Sequence, residues 1–216
     1  MRLLLTSAGL YNKSIADGLL KLTNKNPFET KIGFVPTAAN VEEGDKSWFF
    51  EQIEHLNDYG YKWISVVDVS APDVDWRSEL EKVDVIVVSG GNTFHLLTQV
   101  RNSGFDKWMI DNLDAKVYVG MSAGSIIMTP DITVPYVDDG DINYKEITDL
   151  NGLSLVDFEI SPHTPESVSY KGNENYFADI DNDLYTLDNN SAILVNGKEI
   201  DVISEGEWKC YKKKNI

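Results

Sequence analysis

The chain has 216 residues, of which 42% are hydrophobic, and it carries a formal net charge of −16. This size and composition suit one α/β domain over residues 1–216. The acidity makes nucleic-acid backbones and anionic membrane surfaces poor partners, and no apolar run approaches the ~20 residues of a membrane-spanning helix. With a single cysteine, Cys210, and no signal-peptide core, we expect a cytoplasmic protein with no internal disulfide and no cysteine-based metal site.

The first two thirds of the chain alternate strand and helix patterns. Apolar runs predict strands at 2–6, 31–35, 63–69, 83–88 and 116–119. Between them, apolar residues recur at helical spacing, as in the set Trp48, Phe49, Ile53 and Leu56. This alternation predicts right-handed crossovers, and therefore a mostly parallel sheet with helices on both faces.

The last third changes character. From residue 184 onward, four short strands are separated by turn residues, among them the hairpin signal Asn196-Gly197. These strands predict a C-terminal antiparallel meander that extends or flanks the parallel sheet.

A Gly-x-Ser-x-Gly pattern lies at residues 120–124, between the fifth predicted strand and a predicted helix. This is the pattern of a nucleophile elbow, a turn so tight that side chains two positions either side of the serine would collide with backbone. The turn lifts the hydroxyl of Ser122 clear of the sheet. An ordinary strand–helix turn with a capping serine is the alternative, but the flanking strand and helix favour a nucleophile.

A serine nucleophile needs a base within hydrogen-bond reach, and the chain has three histidines. His55 and His95 fall within predicted helices, where surface positions are expected. His163 follows a strand-like run at 156–160 and lies in a loop between two prolines, which stiffen it. We therefore expect His163 to be the base.

The group that orients the imidazole is less sharply marked, because acidic residues are plentiful. Asp131, which follows the elbow helix, is the first choice. Asp138, Asp139 and Glu166 are its rivals.

A second glycine-rich loop follows the fourth predicted strand and leads into a helix. Such loops can cradle an anion with backbone N–H groups. Alone, this loop is equally compatible with a phosphate site or a tight turn. Beside the elbow it is interpreted as half of an oxyanion hole, with the N–H groups of Gly91 and Ala123 as donors. Gly90, Asn92 and Thr93 would then contact the substrate.

Three segments together resemble the signatures of the peptidase E family of aspartyl dipeptidases, relatives of cyanophycinase and, in fold, of class I glutamine amidotransferases. They are Ser-Gly-Gly-Asn-Thr-Phe at 89–94, the elbow at 120–124 and Ser-Pro-His at 161–163. The resemblance covers most of the chain. It implies a flavodoxin-like serine peptidase with nucleophile Ser122, base His163 and a Ser-His-Asp/Glu triad. It further implies a small peptide substrate cleaved near its N-terminus, with Asp-X dipeptides as candidates, no cofactor, and a monomer or homodimer.

The chain departs from the aspartyl dipeptidases where they hold the substrate aspartate with an arginine after the catalytic histidine. Here the arginines are Arg2, Arg77 and Arg101, all before the elbow, and Lys171 is the only cation at 171–176. A lysine lacks the bidentate fork of arginine. We therefore expect any preference for acidic residues, resting on Lys171, to be modest.

Two other functions share parts of these patterns. An esterase of the α/β-hydrolase kind has the same elbow, but its histidine lies near the chain end, and here no histidine follows His163. A non-catalytic relative could instead bind a small anion at Gly90 and Gly91. Labelling of Ser122 by a serine-directed probe separates an enzyme from such a binder.

Overall fold

The structure is a computed structural model that describes residues 1–133, 141–164 and 181–213. The strands are β1 (Arg2–Thr6), β2 (Lys31–Val35), β3 (Trp63–Val66), β4 (Val85–Val88), β5 (Val117–Met121), β6 (Phe158–Ser161), β7 (Asp183–Leu187), β8 (Ser191–Asn196), β9 (Glu199–Ser204) and β10 (Trp208–Tyr211). The helices are α1 (Lys13–Thr23), α2 (Ser47–Asp58), α3 (Trp76–Glu81), α4 (Thr93–Ser103), α5 (Phe105–Asn112) and α6 (Ala123–Ile126).

The main sheet has seven strands in the order β3-β2-β4-β5-β1-β8-β9. The strands from β3 to β1 in that order pair in parallel, while β8 and β9 continue the sheet in antiparallel fashion. The predicted α/β fold with a mostly parallel sheet is confirmed. Because β4 and β5 are neighbours, the loops that follow them meet at one edge of the sheet.

The two faces of this sheet bury different helices, as the period-two alternation of the strands requires. Leu4 packs with Ile15 and Leu19 of α1, whereas Leu3 and Leu5 pack in the cluster that contains α3, α4 and α5. Helices therefore cover both faces. Among the described residues, no helix is long and apolar enough to cross a membrane.

The C-terminal strands do not form one meander. In the structure, β8 and β9 extend the main sheet, while β7 and β10 join β6 in a second sheet of order β10-β7-β6. Both faces of β8 are buried, with Leu194 in one cluster and Ile193 in the other, so β8 requires an interior position beside β1. The turn at residues 188–190 carries the chain from one sheet to the other.

Candidate active site

The loop after β5 holds Ser122 in a sharp turn. Its backbone has φ 49° and ψ −110°, a conformation that side chains other than glycine rarely adopt and that is common at functional sites. A Cβ atom at Gly120 would lie 2.6 Å from the carbonyl oxygen of Gly124. Glycine is therefore required at this flank for the steric reason that the sequence pattern indicates.

Two serines lie close together in this turn, but only one faces the predicted base. The Oγ of Ser125 is fully buried and donates to the carbonyl oxygen of Thr6 at 2.8 Å. The Oγ of Ser122 lies 2.9 Å from Nε2 of His163. The geometry thus distinguishes Ser122 from its neighbour as the candidate nucleophile.

His163 is held by backbone contacts as well as by its ring. It follows β6 and has a positive φ of 62°, and its N–H donates to Oγ of Ser7 at 3.3 Å. Ser7 in turn donates to the carbonyl oxygen of Leu187, at the end of β7. The loops after β1, β6 and β7 are therefore joined around the imidazole.

Asn189 occupies the position opposite Nδ1 of His163. Its Oδ1 lies 2.7 Å from that nitrogen. Because an amide oxygen can only accept a hydrogen bond, this contact favours the tautomer with the proton on Nδ1 and the lone pair on Nε2. The turn that carries it is fixed by the buried carboxylate of Asp188, which accepts from Asn190 N–H and Glu207 N–H. Asn189 is thus presented from a rigid turn.

Asp131, predicted to orient the imidazole, lies elsewhere. Its Oδ1 accepts from the N–H of Thr133 at 2.6 Å, and the residue forms an isolated bridge with Asn151. The pKa of Glu159 is raised mainly by burial, and the nearby carboxylate of Asp131 adds to this rise. The structure brings Asn189, not Asp131, to His163. The rivals Asp138, Asp139 and Glu166 lie outside the described residues.

The position of Asn189 beside His163 follows from the pairing of β6 with β7. The strands β6 and β7 pair in parallel, and Ser161 is level with Thr186. His163 and Asn189 each come two residues after the last residue of their strand. Residues at the carboxyl ends of neighbouring parallel strands meet at one edge. The sequence pattern does not indicate this position, because the expected orienting group is an acid and the pairing of the two strands is visible only in the structure.

The glycine-rich loop after β4 faces the elbow. Gly91 has φ 128°, and a Cβ there would lie 2.5 Å from the carbonyl carbon of Ala38, so only glycine fits. Within the described part of the chain, neither Gly91 N–H nor Ala123 N–H donates a hydrogen bond. Both predicted oxyanion donors are therefore left available.

Asn92 and Thr93 have structural partners instead of a place in the cavity. The Oδ1 of Asn92 caps α4 by accepting from His95 N–H at 2.8 Å, and its Nδ2 donates to the carbonyl oxygen of Ile142. The N–H of Thr93 donates to the carboxylate of Asp141 at 2.6 Å. The structure does not support direct substrate contact by these two buried side chains.

A cavity of about 460 Å³ opens above Ser122. Gly90, Gly91, His163 and Asn189 line it together with the nucleophile candidate. Its volume falls in the range of ordinary small-ligand sites. The candidate catalytic groups thus open into a space large enough for a small peptide.

A family model described as Peptidase family S51 matches residues 3–203 of this chain. The chain belongs to peptidase family S51. This confirms the resemblance to peptidase E that the three motifs indicate, and it makes the protein a peptidase by family.

Two curated relatives and one solved structure are also named as peptidases. An uncharacterized peptidase of Listeria monocytogenes is 31% identical over 175 residues, covering 78% of this chain and 83% of the relative. Peptidase E of Salmonella arizonae is 29% identical, covering 74% and 67%. A crystal structure of a protein assigned as a peptidase E from Listeria monocytogenes superposes with a TM-score of 0.80 at 27% identity, covering 95% of this chain and 98% of that one.

One wall of the cavity in this S51 peptidase comes from α2. Trp48, Glu51, Gln52 and His55 recur at helical spacing and line the cavity from that helix. The sequence patterns assign Trp48 to the core face and His55 to the solvent surface, so they do not predict this wall. His95 is half-buried and outside the cavity lining, and burial lowers its pKa.

The described residues include no group of three or more histidine, cysteine, aspartate or glutamate side chains placed to hold a metal ion. Lys171, the predicted contact for an acidic substrate, lies outside the described ranges.

Proposed function

We propose that this protein is a serine peptidase that hydrolyses small peptides near their N-terminus, with Ser122 as nucleophile, His163 as base and Asn189 as the residue that orients the base. The observation that carries the proposal is the chain of contacts from Ser122 Oγ through the imidazole to Asn189 Oδ1, at 2.9 Å and 2.7 Å. Family S51 membership supports the same chemistry.

In this mechanism Ser122 Oγ attacks the carbonyl carbon of the scissile peptide bond while its proton moves to His163 Nε2. The tetrahedral intermediate collapses with cleavage of the C–N bond, and Nε2 returns the proton to the leaving amine. Water, deprotonated by the same nitrogen, then hydrolyses the acyl-enzyme. Asn189 keeps the proton on Nδ1 throughout, so that Nε2 is the basic nitrogen.

In this proposal the N–H groups of Gly91 and Ala123 stabilise the negative charge on the oxygen of the tetrahedral intermediate. Two observations support this role. Neither N–H group donates a hydrogen bond within the described chain, and Gly91 lines the same cavity as Ser122. Losing one such donor typically lowers turnover by about 10²–10³-fold.

Cleavage of Asp-X dipeptides is the specificity that the resemblance to the aspartyl dipeptidases implies, and Lys171 is the residue on which it would rest here. The described cavity wall offers an aspartate little support, because Glu42, Glu51 and Asp141 line it. The same carboxylates argue against a non-catalytic anion-binding function.

Hydrolysis of a dipeptide panel by matched serine variants tests the proposal. Ser122→Ala should lower kcat by at least about 10³-fold, because the nucleophile and its base act as a unit. Ser125→Ala should retain activity, since its hydroxyl is bonded to the carbonyl oxygen of Thr6. If Ser125→Ala is inactive while Ser122→Ala still turns over, the assignment is contradicted.

A matched pair of histidine variants provides the second test. His163→Ala should cost about as much as loss of Ser122, while His95→Ala should be mild because His95 lies outside the cavity lining. The reverse ranking would contradict His163 as the base.

A further inference from the structure

Three acidic side chains share the cavity with the candidate catalytic groups. Glu42, Glu51 and Asp141 come from three separate segments and line the same space. Among the described residues that line it, none is a lysine or an arginine. Such a wall creates a negative potential that attracts cations and repels carboxylates.

Two of these carboxylates, Glu42 and Asp141, lie close together. Burial, and then the nearby charge of Asp141, raise the pKa of Glu42, which Lys46 only partly offsets. The ammonium of Lys46 donates to the carbonyl oxygen of Ala39 at 2.9 Å. The electrostatic cost of this crowding falls when a positively charged ligand enters.

A second, independent feature of the cavity points to the same kind of ligand. Gln52 is only 6% exposed, lines the cavity, and its Oε1 accepts no hydrogen bond in the described chain. A buried acceptor without a donor is unfavourable until a ligand or water supplies one. The free oxygen of Gln52 therefore marks a place for an N–H donor.

The amide of Gln52 is adjacent to the reacting serine. A Cβ placed on Gly90 would lie 3.1 Å from Gln52 Nε2 and 3.2 Å from Ser122 Cβ. A group that bonds to Gln52 therefore belongs to one of the two residues that flank the scissile bond.

Lysine and arginine side chains carry only donors and a positive charge, which matches a wall of carboxylates and one amide oxygen. The α-ammonium group of any such peptide supplies three donors, and a basic side chain adds further donors and a second positive charge. The aromatic rings of Trp48 and Tyr11 also line the cavity, and guanidinium groups stack on such faces.

Resting on the proposed peptidase function, we infer that the preferred substrate carries a lysine or arginine side chain on the residue that supplies the acyl group, held by Glu42, Glu51, Asp141 and Gln52. The described carboxylates thus favour a basic N-terminal residue over an aspartate.

Three dipeptides that differ only in their first residue test this inference: Arg-Leu, Asp-Leu and citrulline-Leu, whose first side chain is a neutral analogue of arginine. At low salt, kcat/KM for Arg-Leu should exceed that for citrulline-Leu by about ten-fold, because several carboxylates act together. High salt should reduce this ratio.

A matched pair of variants locates the effect. Glu51→Gln should lower the Arg-Leu to citrulline-Leu ratio about three-fold, the size typical of one exposed charge pair. Glu54→Gln makes the same change on the same helix at an exposed position outside the cavity lining, and it should leave the ratio unchanged.

The outcomes separate the two proposals. If Asp-Leu or citrulline-Leu is hydrolysed at least as well as Arg-Leu, the peptidase function stands and the inference is overturned. If no dipeptide is hydrolysed, the proposed function fails. In that case, calorimetry measures the binding of Arg-Leu and citrulline-Leu to the Ser122→Ala variant. The inference requires Arg-Leu to bind more tightly than citrulline-Leu, and equal or weaker binding overturns it.

Discussion

At the scale of single residues, the distinctive feature of the site is a neutral amide where the sequence predicts a carboxylate. Asn189 Oδ1 can orient the imidazole of His163 at 2.7 Å, but it adds no negative charge beside it. Ser122 and His163 could be predicted because their motifs are local. Asn189 could not be predicted for two reasons. It is not an acid, and its position depends on the pairing of two strands that are distant in sequence.

This difference in charge leads to a prediction about how activity depends on pH. In wild type, kcat/KM should fall at acid pH, because Nε2 of His163 must be unprotonated to accept a proton. Asn189→Asp should move this acid limb to higher pH by about one unit, because a carboxylate stabilises the protonated imidazole. Asn190→Asp adds the same charge one residue away and should move it less. Equal shifts in the pH profiles of both variants would contradict a specific contact.

At the scale of elements, the elbow depends on the strand before it. The hydroxyl of Tyr118, in β5, is fully buried and donates to the carbonyl oxygen of Gly124 at 2.6 Å, and burial raises its pKa. Apolar runs sufficed to predict β5 and its parallel neighbours. The pairing of β7 with β6 was not predictable, because adjacent short strands separated by turn residues favour local hairpins.

Removing that hydroxyl should loosen the elbow without unfolding the protein. Tyr118→Phe leaves a buried carbonyl oxygen without its donor, so the free energy of unfolding should fall by about 1–2 kcal/mol. Denaturant titration measures this loss, with Tyr144→Phe as control because Tyr144 is 55% exposed. Equal stability of the two variants would show that the Tyr118 contact contributes nothing.

At the scale of the whole molecule, one buried acid links stability to pH. Glu159 lies in β6, is 8% exposed, and burial raises its pKa to about 7. Asn182 donates to one carboxyl oxygen at 3.0 Å. Between its ordinary pKa and this raised value, the folded chain keeps a proton that the unfolded chain has lost. Its contribution to stability is therefore full below about pH 4.5 and is lost as pH rises through about 7.

Glu159→Gln removes this titration while keeping a neutral polar side chain. Relative to wild type, the variant should gain about 2 kcal/mol of unfolding free energy between pH 5 and pH 8. Glu54→Gln, at an exposed position, should show no such gain in the same denaturant titrations. A stability difference between Glu159→Gln and wild type that does not change with pH would contradict the raised pKa.

The central claim is that Ser122 is a nucleophile activated by His163. The most direct measurement is labelling with a fluorophosphonate, followed by mass-spectrometric identification of the modified residue in wild type and in His163→Ala. A single adduct on Ser122, formed at least about 10³-fold more slowly without the imidazole, is the expected result. An adduct on Ser125, or equal labelling rates in the two proteins, would contradict the claim.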